Sequence, residues 1–330
     1  MTFDYEKIKK HCFEEFQNSE NTKILKKISR QSFGKGRTTY LITGGCGFIG
    51  NNLAEELSKD SGNLVVVVDL VKKDFKKLEN VLYLSLDLST VFDSRQIDYS
   101  KFDYIFHFAA DLGVKNFSVC PSPSFINNYL VDKNLIEILT SRRFSKIPHV
   151  VYASTSEVYG ECDNASEETN FQVMNAPRGS YACEKLMMEF LLKNYQIPHT
   201  IVRFFNVVGR GQTSEHGHVI PTFIERAVMN EDIVLDNGGE EVRSFCDVSD
   251  AVEMLKLVKD YDGEFNIGAN NKITIKELAK LIIELTKSKS KLVVKEHRQK
   301  ISFRSPCLEK INKLYSAKNN LKNILKNMCF

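Results

Sequence analysis

The chain holds eight cysteines but no CxxC pair and no cluster of histidine with cysteine, so no metal site is expected. It has no apolar run of the about 18 residues that a membrane-spanning helix needs, and no membrane partner is expected. Its first residues are charged and carry no apolar h-region, so they do not read as a secretory signal. An excess of one charge sign is also missing. Lysine and arginine number 45 against 42 aspartates and glutamates, and the net +3 is too small to argue for nucleic acid. No internal repeat or low-complexity tract is present. What remains is an ordinary globular composition, 42% hydrophobic and 26% charged. Irregularly spaced cysteines suit a reducing compartment, and the expected location is cytoplasmic. In that setting the Asn-x-Ser triplets at Asn116 and Asn164 read as chance.

The most informative stretch is Thr43-Gly44-Gly45-Cys46-Gly47-Phe48-Ile49-Gly50, between a short apolar run and a helix-like segment. Glycines at this spacing let the backbone turn sharply from strand to helix and let a pyrophosphate reach the helix N-terminus. Asp69 follows Gly50 by 19 residues, at the end of the apolar run Leu64–Val68. A dinucleotide-binding unit places the carboxylate that grips the adenosine ribose there.

From Thr39 onward strand and helix signals alternate. Strands are expected at Tyr40–Ile42, Leu64–Val68, Val81–Leu84, Tyr104–Phe108, His149–Ala153 and Thr200–Phe204, and helices at Gly50–Ser58, Phe125–Ser141 and Tyr181–Asn194. Continuous β-branched runs between helices indicate a parallel sheet covered on both faces. The expected fold is therefore α/β, a Rossmann-type doubly wound parallel sheet over residues 39–205. A smaller C-terminal substrate lobe is expected over 206–330, with parts of 236–267 able to return to the sheet. Residues 1–38 read as an extra N-terminal helical segment, with helices at Tyr5–Phe16 and Thr22–Ile28.

Tyr181 and Lys185 stand at i and i+4, a spacing that shares one helix face. An ammonium one turn from a phenol favours phenolate and makes the tyrosine a usable acid or base at neutral pH. Upstream, Ser154-Thr155-Ser156-Glu157 lies where a strand ends at the carboxyl edge of the sheet, the edge at which such folds place ligands. Hydroxyls there can hold a sugar oxygen near the base or simply cap the strand. Glu157 reads equally as a solvated loop acid and as an active-site carboxylate.

The segments TGGCGFIG, HFAAD (107–111), STSEVYG, YACEK and RFFNVVGRGQ (203–212) stand in the order of the extended short-chain dehydrogenase/reductase superfamily. More narrowly, the chain resembles the NAD-dependent nucleotide-sugar epimerase/dehydratase family from about Tyr40 to Leu314. The resemblance implies NAD as cofactor. Gly44, Gly47, Phe48, Ile49 and Gly50 match its pyrophosphate loop, Asp69 the ribose carboxylate, and Asp87 and Leu88 the adenine contacts. Phe108, Ala109 and Ala110 match the strand end beside the cofactor, and Asn128 and Ser154 match further positions on the cofactor side. Thr155 matches the hydroxyl that assists Tyr181, and Lys185 the lysine on the nicotinamide ribose. Ser156, Asn206, Val219, Arg243 and Arg304 match the side that holds a nucleotide-diphosphate sugar. Cys46 and Cys183 are expected to be small packing residues. Two positions depart from the pattern: Val131-Asp132 stands where a Gly-Thr pair is usual, and Arg210 replaces a proline.

The resemblance also implies an opening step shared across the family, oxidation at the sugar C4 to a 4-keto sugar. Ser156 stands where dehydratases carry an aspartate, which disfavours water loss. The expected reaction is 4-epimerisation, for which Gly113-Val114-Lys115 argues. Decarboxylation of a UDP-glucuronate type of substrate is the alternative, for which Thr155-Ser156-Glu157 and Arg304 argue. A 4-dehydrogenase or 4-keto reductase would use the same residues, and a silent NAD-binding sensor or scaffold is the non-enzyme reading. Relatives pair two helices per subunit, so the resemblance further implies a homodimer through a four-helix contact.

Overall fold

The computed structural model describes residues 23–24, 36–71, 78–112, 121–141, 146–172, 179–215, 217–295 and 303–329. Apart from Lys23 and Ile24, the helices expected before Gly36 lie outside these residues, as do Gly113-Val114-Lys115 and Asn116. The chain forms two compact units. One holds residues up to Ala109 together with Lys133–Pro148, and the other holds Ala110–Asp132 with His149 onward. Seven parallel strands carry the α/β architecture, four in the first unit and three in the second.

In the first unit β1 (Thr38–Thr43), β2 (Asn63–Asp69), β3 (Val81–Ser85) and β4 (Tyr104–His107) lie in the order β4-β1-β2-β3, all parallel. The valine run of β2 is buried from Asn63 to Val68, as expected of a strand covered on both faces. Helix α1 (Phe48–Leu57) follows β1 directly and turns Leu53, Ala54 and Leu57 inward. A short α2 (Val91–Ser94) is capped by the Thr90 hydroxyl. The long α3 (Pro121–Thr140) runs through both units, its Asp132–Lys133 bond marking the division.

The second unit follows with β5 (His149–Thr155), β6 (Cys162–Ala165), α4 (Gly179–Asn194), β7 (His199–Phe204), β8 (Val207–Val208), α5 (Val219–Val228), β9 (Ile233–Asp236), β10 (Val242–Ser244) and β11 (Cys246–Asp247). It continues with α6 (Val248–Val258), β12 (Gly263–Ile267), β13 (Lys272–Thr274), α7 (Ile275–Thr286), β14 (Leu292–Lys295), β15 (Phe303–Pro306), α8 (Glu309–Asn312) and α9 (Leu321–Cys329). Strand β12, from the C-terminal part of the sequence, pairs parallel with β7, which in turn pairs with β5. A second sheet, in the order β13-β10-β15-β6, brings Arg243 and Arg304 into register on neighbouring strands. Helices α5, α7 and α9 close over a separate core that includes Ile220, Phe223, Ile233, Leu278 and Ile324. Helix α7 starts at a capping box in which Thr274 and Glu277 exchange hydrogen bonds, which fixes its first turn.

Candidate functional site

The glycine turn lies in the first unit, at the end of β1. Gly44 has φ +66°, a conformation that side chains disfavour. A Cβ there would sit 2.6 Å from the Phe108 carbonyl carbon and 2.7 Å from the Ala109 nitrogen, so glycine alone lets the turn lie on the end of β4. A Cβ on Gly50 would lie 2.6 Å from the Gly44 carbonyl oxygen, which keeps α1 close to the turn. Gly47 caps α1 in an extended conformation with no side-chain cap. No side chain caps the first-turn N–H groups of α1, the arrangement that an anion such as a pyrophosphate uses.

Asp69 ends β2 beside this turn. Its carboxylate accepts from the Cys46 backbone N–H at 2.9 Å and from the Val71 N–H at 3.1 Å. That geometry fixes an acceptor pair where a ribose diol would bind and presents negative charge to a 2′-phosphate. Asp87 accepts from the Ser89 N–H at 3.0 Å and from its hydroxyl at 2.6 Å, and Leu88 is buried. The strand end at Phe108 and Ala109 is held by Thr43, whose Oγ1 accepts from both N–H groups at 3.2 Å. Thr43 also bonds His107 Nδ1 at 2.9 Å, and both residues are buried. The expected pyrophosphate-loop and ribose residues thus fit the adenosine and pyrophosphate half of a dinucleotide.

The second unit carries the titratable residues. On α4, Tyr181 and Lys185 are both buried, with Lys185 Nζ 6.0 Å from the Tyr181 ring centre. The same ammonium lies 4.9 Å from the Tyr152 ring centre and 3.7 Å from Glu184 Oε1. Burial alone would strip its proton, but Glu184, Asp132 and Tyr181 outweigh it and hold the lysine above its ordinary value. Burial and then Asp132 push Glu184 the other way for an acid, up to about 7, against the pull of Lys185. Asn128 ties Glu184 to Asp111. Its Oδ1 accepts from the Asp111 N–H at 2.7 Å, and its Nδ2 donates to Glu184 Oε2 at 3.2 Å.

At the end of β5, Thr155 Oγ1 accepts from the Glu157 N–H at 3.2 Å and opens a short 3₁₀ turn, Ser156–Tyr159. Ser156 and Glu157 are buried in that turn. Glu157 is therefore no solvated loop acid: its Oε1 accepts from Arg304 Nη1 at 2.7 Å, and both side chains are less than one-tenth exposed. Arg304 Nε is buried with no partner among the described residues. Arg243, beside Arg304 in the sheet, pairs with Glu241 at 2.9 Å. Burial pushes its guanidinium below the ordinary value, and Glu241 opposes this.

Other expected residues have neighbours of their own. Ser154 donates to buried Glu189, which also pairs with Arg203 at 2.6 Å. Asn206, at φ +36°, donates to the Ser244 carbonyl at 3.0 Å. Val219 is the first residue of α5 and is half-buried. Ala110, at the start of the second unit, is half-buried. Cys46 is buried as expected, but Cys183 is exposed, because its place on α4 turns away from the face that buries Ala182, Glu184 and Lys185. Among the described residues no group of three or more His, Cys, Asp or Glu could hold a metal ion, and no helix is long and apolar enough to cross a membrane.

Sequence reasoning missed the Thr43–His107 clasp and the carboxyls around Lys185. The only signal for the latter was the departure at Val131-Asp132. Residues 40–268 match the NAD dependent epimerase/dehydratase family. The chain belongs to that family. It is an NAD-dependent enzyme, with the Rossmann-like parallel sheet of its relatives. It is 35% identical over 267 residues to a UDP-N-acetyl-alpha-D-glucosaminuronate decarboxylase of Bacillus cytotoxicus, a match covering 77% of this chain and 82% of the relative. It is 28% identical to UDP-glucuronic acid decarboxylase 6 of Arabidopsis thaliana, over 79% of this chain and 78% of that one. Among solved structures it resembles the UDP-glucose 4-epimerase of Thermotoga maritima, with TM-score 0.78 and 25% identity over 88% of this chain and 97% of that one.

Proposed function

We propose that this enzyme decarboxylates a UDP-linked uronic acid through its 4-keto form. The observation that carries this reading is the buried contact between Glu157 and Arg304, the two residues by which the sequence resembles UDP-glucuronate decarboxylases. The names of the Bacillus and Arabidopsis relatives support it. So does the partnerless Nε of Arg304, since a buried donor left without an acceptor is costly and fits an acceptor arriving with substrate.

Tyr181, as phenolate beside the Lys185 ammonium, takes the C4 hydroxyl proton, and Thr155 holds the same oxygen. NAD, when bound, supplies the acceptor for the C4 hydride and returns it at the end. The C4 ketone stands β to the C6 carboxylate, so the C5–C6 bond can break with its electron pair flowing onto the C4 oxygen. Tyr181, now a phenol, donates to that oxygen as charge develops on it. C5 takes up one proton as carbon dioxide leaves, and Tyr181 gives its proton back to C4 oxygen as the hydride returns. Arg304 and Arg243 supply guanidinium forks suited to carboxylate or diphosphate oxygens.

Epimerisation, the first expectation from the sequence, uses the same Thr155, Tyr181 and Lys185 and gives Arg304 a diphosphate to hold but no carboxylate. Likeness to the Thermotoga epimerase structure keeps it as the second reading. The test is incubation with UDP-glucuronate, UDP-N-acetylglucosaminuronate, UDP-glucose and UDP-N-acetylglucosamine, with products read by mass and NMR. Release of carbon dioxide from either uronate is expected. Inversion at C4 of the neutral sugars with both uronates untouched would overturn decarboxylation. The same reading includes a cytoplasmic homodimer formed through α3 and α4, on which Ile126, Tyr129 and Phe190 are exposed apolar residues.

A further inference from the structure

A buried polar network that the proposed chemistry does not use joins the two segments that carry Glu157 and Arg304. Its charged end is Arg203 of β7 with Glu189 of α4, each 1% exposed. The guanidinium donates through Nε and Nη2 to the two oxygens of that carboxylate, at 3.1 Å and 2.6 Å. Ser154, the residue before Thr155, donates to the same carboxylate. Arg203 Nη1 donates to the Tyr159 hydroxyl at 2.8 Å and to the Glu167 carbonyl at 3.2 Å. An arginine has only donors, so the Tyr159 proton points away from it, and it goes to Asn266 Oδ1 at 2.9 Å. Burial pushes this phenol up to about 12 against the pull of Arg203, so the proton stays in place. That bond fixes the Asn266 amide. Its Nδ2 donates to the Ala165 carbonyl at 2.9 Å and to the Cys307 carbonyl at 3.3 Å. Tyr159 and Asn266 are both fully buried, and Asn266 stands in register with Arg203 on the neighbouring strand β12.

We infer that Tyr159 and Asn266 are positioning residues for the Glu157–Arg304 contact: a crosspiece that holds the turn after β5 to the end of β15, so that Arg304 meets the carboxylate of a uronate. Tyr159 ends the 3₁₀ turn in which Glu157 is buried. Cys307 directly follows β15, the strand that carries Arg304. Its N–H bonds the Ala165 carbonyl at 2.8 Å, so Asn266 grips the point where β15 meets β6. The pairing of those two strands shifts register between Arg304 and Pro306, so ladder bonds alone do not set this end. Well-packed apolar residues often hold a fold as firmly as a buried ion pair does. What the network adds is direction, because from Arg203 through Tyr159 to Asn266 each hydrogen bond can run only one way.

This inference rests on Arg304 receiving the uronate carboxylate, and it is tested without turnover. In the NAD-saturated Tyr181→Phe enzyme, calorimetry gives the Kd of UDP-glucuronate and of UDP-glucose, before and after Tyr159→Phe is added. Tyr159→Phe removes one hydroxyl and keeps the ring stacked on Phe205, with 6.0 Å between ring centres. The preference for the uronate is expected to fall by about 2–10-fold, the worth of one hydrogen bond, with the affinity for UDP-glucose unchanged. A merely structural role would weaken both ligands alike. Equal losses, or an unaltered preference, would overturn the inference. Asn266→Ser, which removes the donations to Ala165 and Cys307, gives the same readout should Tyr159→Phe fail to fold. A carbon dioxide assay on wild type keeps the two readings apart. Release of carbon dioxide with a preference that neither variant moves leaves decarboxylation standing and removes the crosspiece. No release, with the preference lost in the variants, does the reverse.

Discussion

Arg304→Met separates the structural role of the Glu157–Arg304 pair from its chemical one. The substitution removes the guanidinium and leaves Glu157, 4% exposed, as a buried carboxylate. Removing one partner of a buried ion pair costs about 3–5 kcal/mol, mostly because the remaining charge is uncompensated. Arg243 reduces that cost, since it occupies the neighbouring register position and its charge reaches Glu157. A loss of about 2–4 kcal/mol is therefore expected. The double variant Glu157→Gln with Arg304→Met has no stranded charge and should return to within about 1 kcal/mol of wild type. The chain has no tryptophan, so urea unfolding is followed by circular dichroism and tyrosine fluorescence, whose coincidence tests for a single transition. With UDP-glucuronate, both variants should still form reduced cofactor, through Tyr181, but release little carbon dioxide. A single variant that loses under about 1 kcal/mol, or a double variant as unstable as the single, would refute the buried-pair argument. Carbon dioxide release at the wild-type rate would refute the catalytic one.

Three other outcomes are expected from the geometry. Tyr181→Phe should bind NAD and nucleotide sugar normally yet lose about 10²–10⁴-fold in turnover, and near-normal turnover would show that another group is the base. Gly44→Ala forces a Cβ within 2.7 Å of three backbone atoms at a positive φ, which should cost about 2–5 kcal/mol in urea unfolding and weaken NAD binding in calorimetry. Stability within about 1 kcal/mol of wild type would mean that the turn has room to relax. Glu184 has its proton affinity raised by folding, so the folded chain binds more protons than the unfolded one between about pH 4.5 and 7. Its contribution is complete below that window and is lost as pH rises through it, at up to about 1.4 kcal/mol per unit. Glu184→Gln should flatten this fall in a pH series of melting curves, and an unaltered slope would place the raised affinity elsewhere.

Much of the fold is legible because its signals are local. The valine run of β2 can only be a strand buried on both faces, and a turn with three glycines before an amphipathic segment can hardly be anything but a strand-to-helix joint. The expected start of α1 at Gly50 falls two residues late, since Gly47 caps the helix through backbone geometry alone and gives no side-chain cap to read. Tyr181 and Lys185 are legible for the same reason, being one turn apart on one helix. Cys183 misled because adjacency to motif residues says nothing about which face of the helix a residue takes. Ser154 and Asn206 could be placed at the site's edge, but their donation to Glu189 and to the Ser244 carbonyl could not. Those contacts depend on how distant strands lie in register.

The reaction is harder to read than the family for the same physical reason. Oxidation at C4 needs only a tyrosine, a lysine and a hydroxyl, which the chain supplies within two neighbouring motifs. The fate of the keto sugar depends on the groups set opposite it, and here these are assembled across 147 residues, from Glu157 to Arg304. The contact arises because β15 lies between β6 and β10, which brings a C-terminal arginine to a turn at the end of β5. The Arg304 guanidinium, bonded to Glu157 through Nη1 and with Nε left for an incoming acceptor, offers a polarised surface whose charge Glu157 offsets. Such a surface can orient a substrate carboxylate without binding it so strongly that its departure as carbon dioxide is penalised, because only interactions stronger in the transition state than in the ground state speed a reaction. An unpaired arginine in the same place would favour the bound carboxylate and slow its loss. Removing Glu157 alone should therefore tighten uronate binding while lowering turnover, an effect that a merely structural ion pair would not produce.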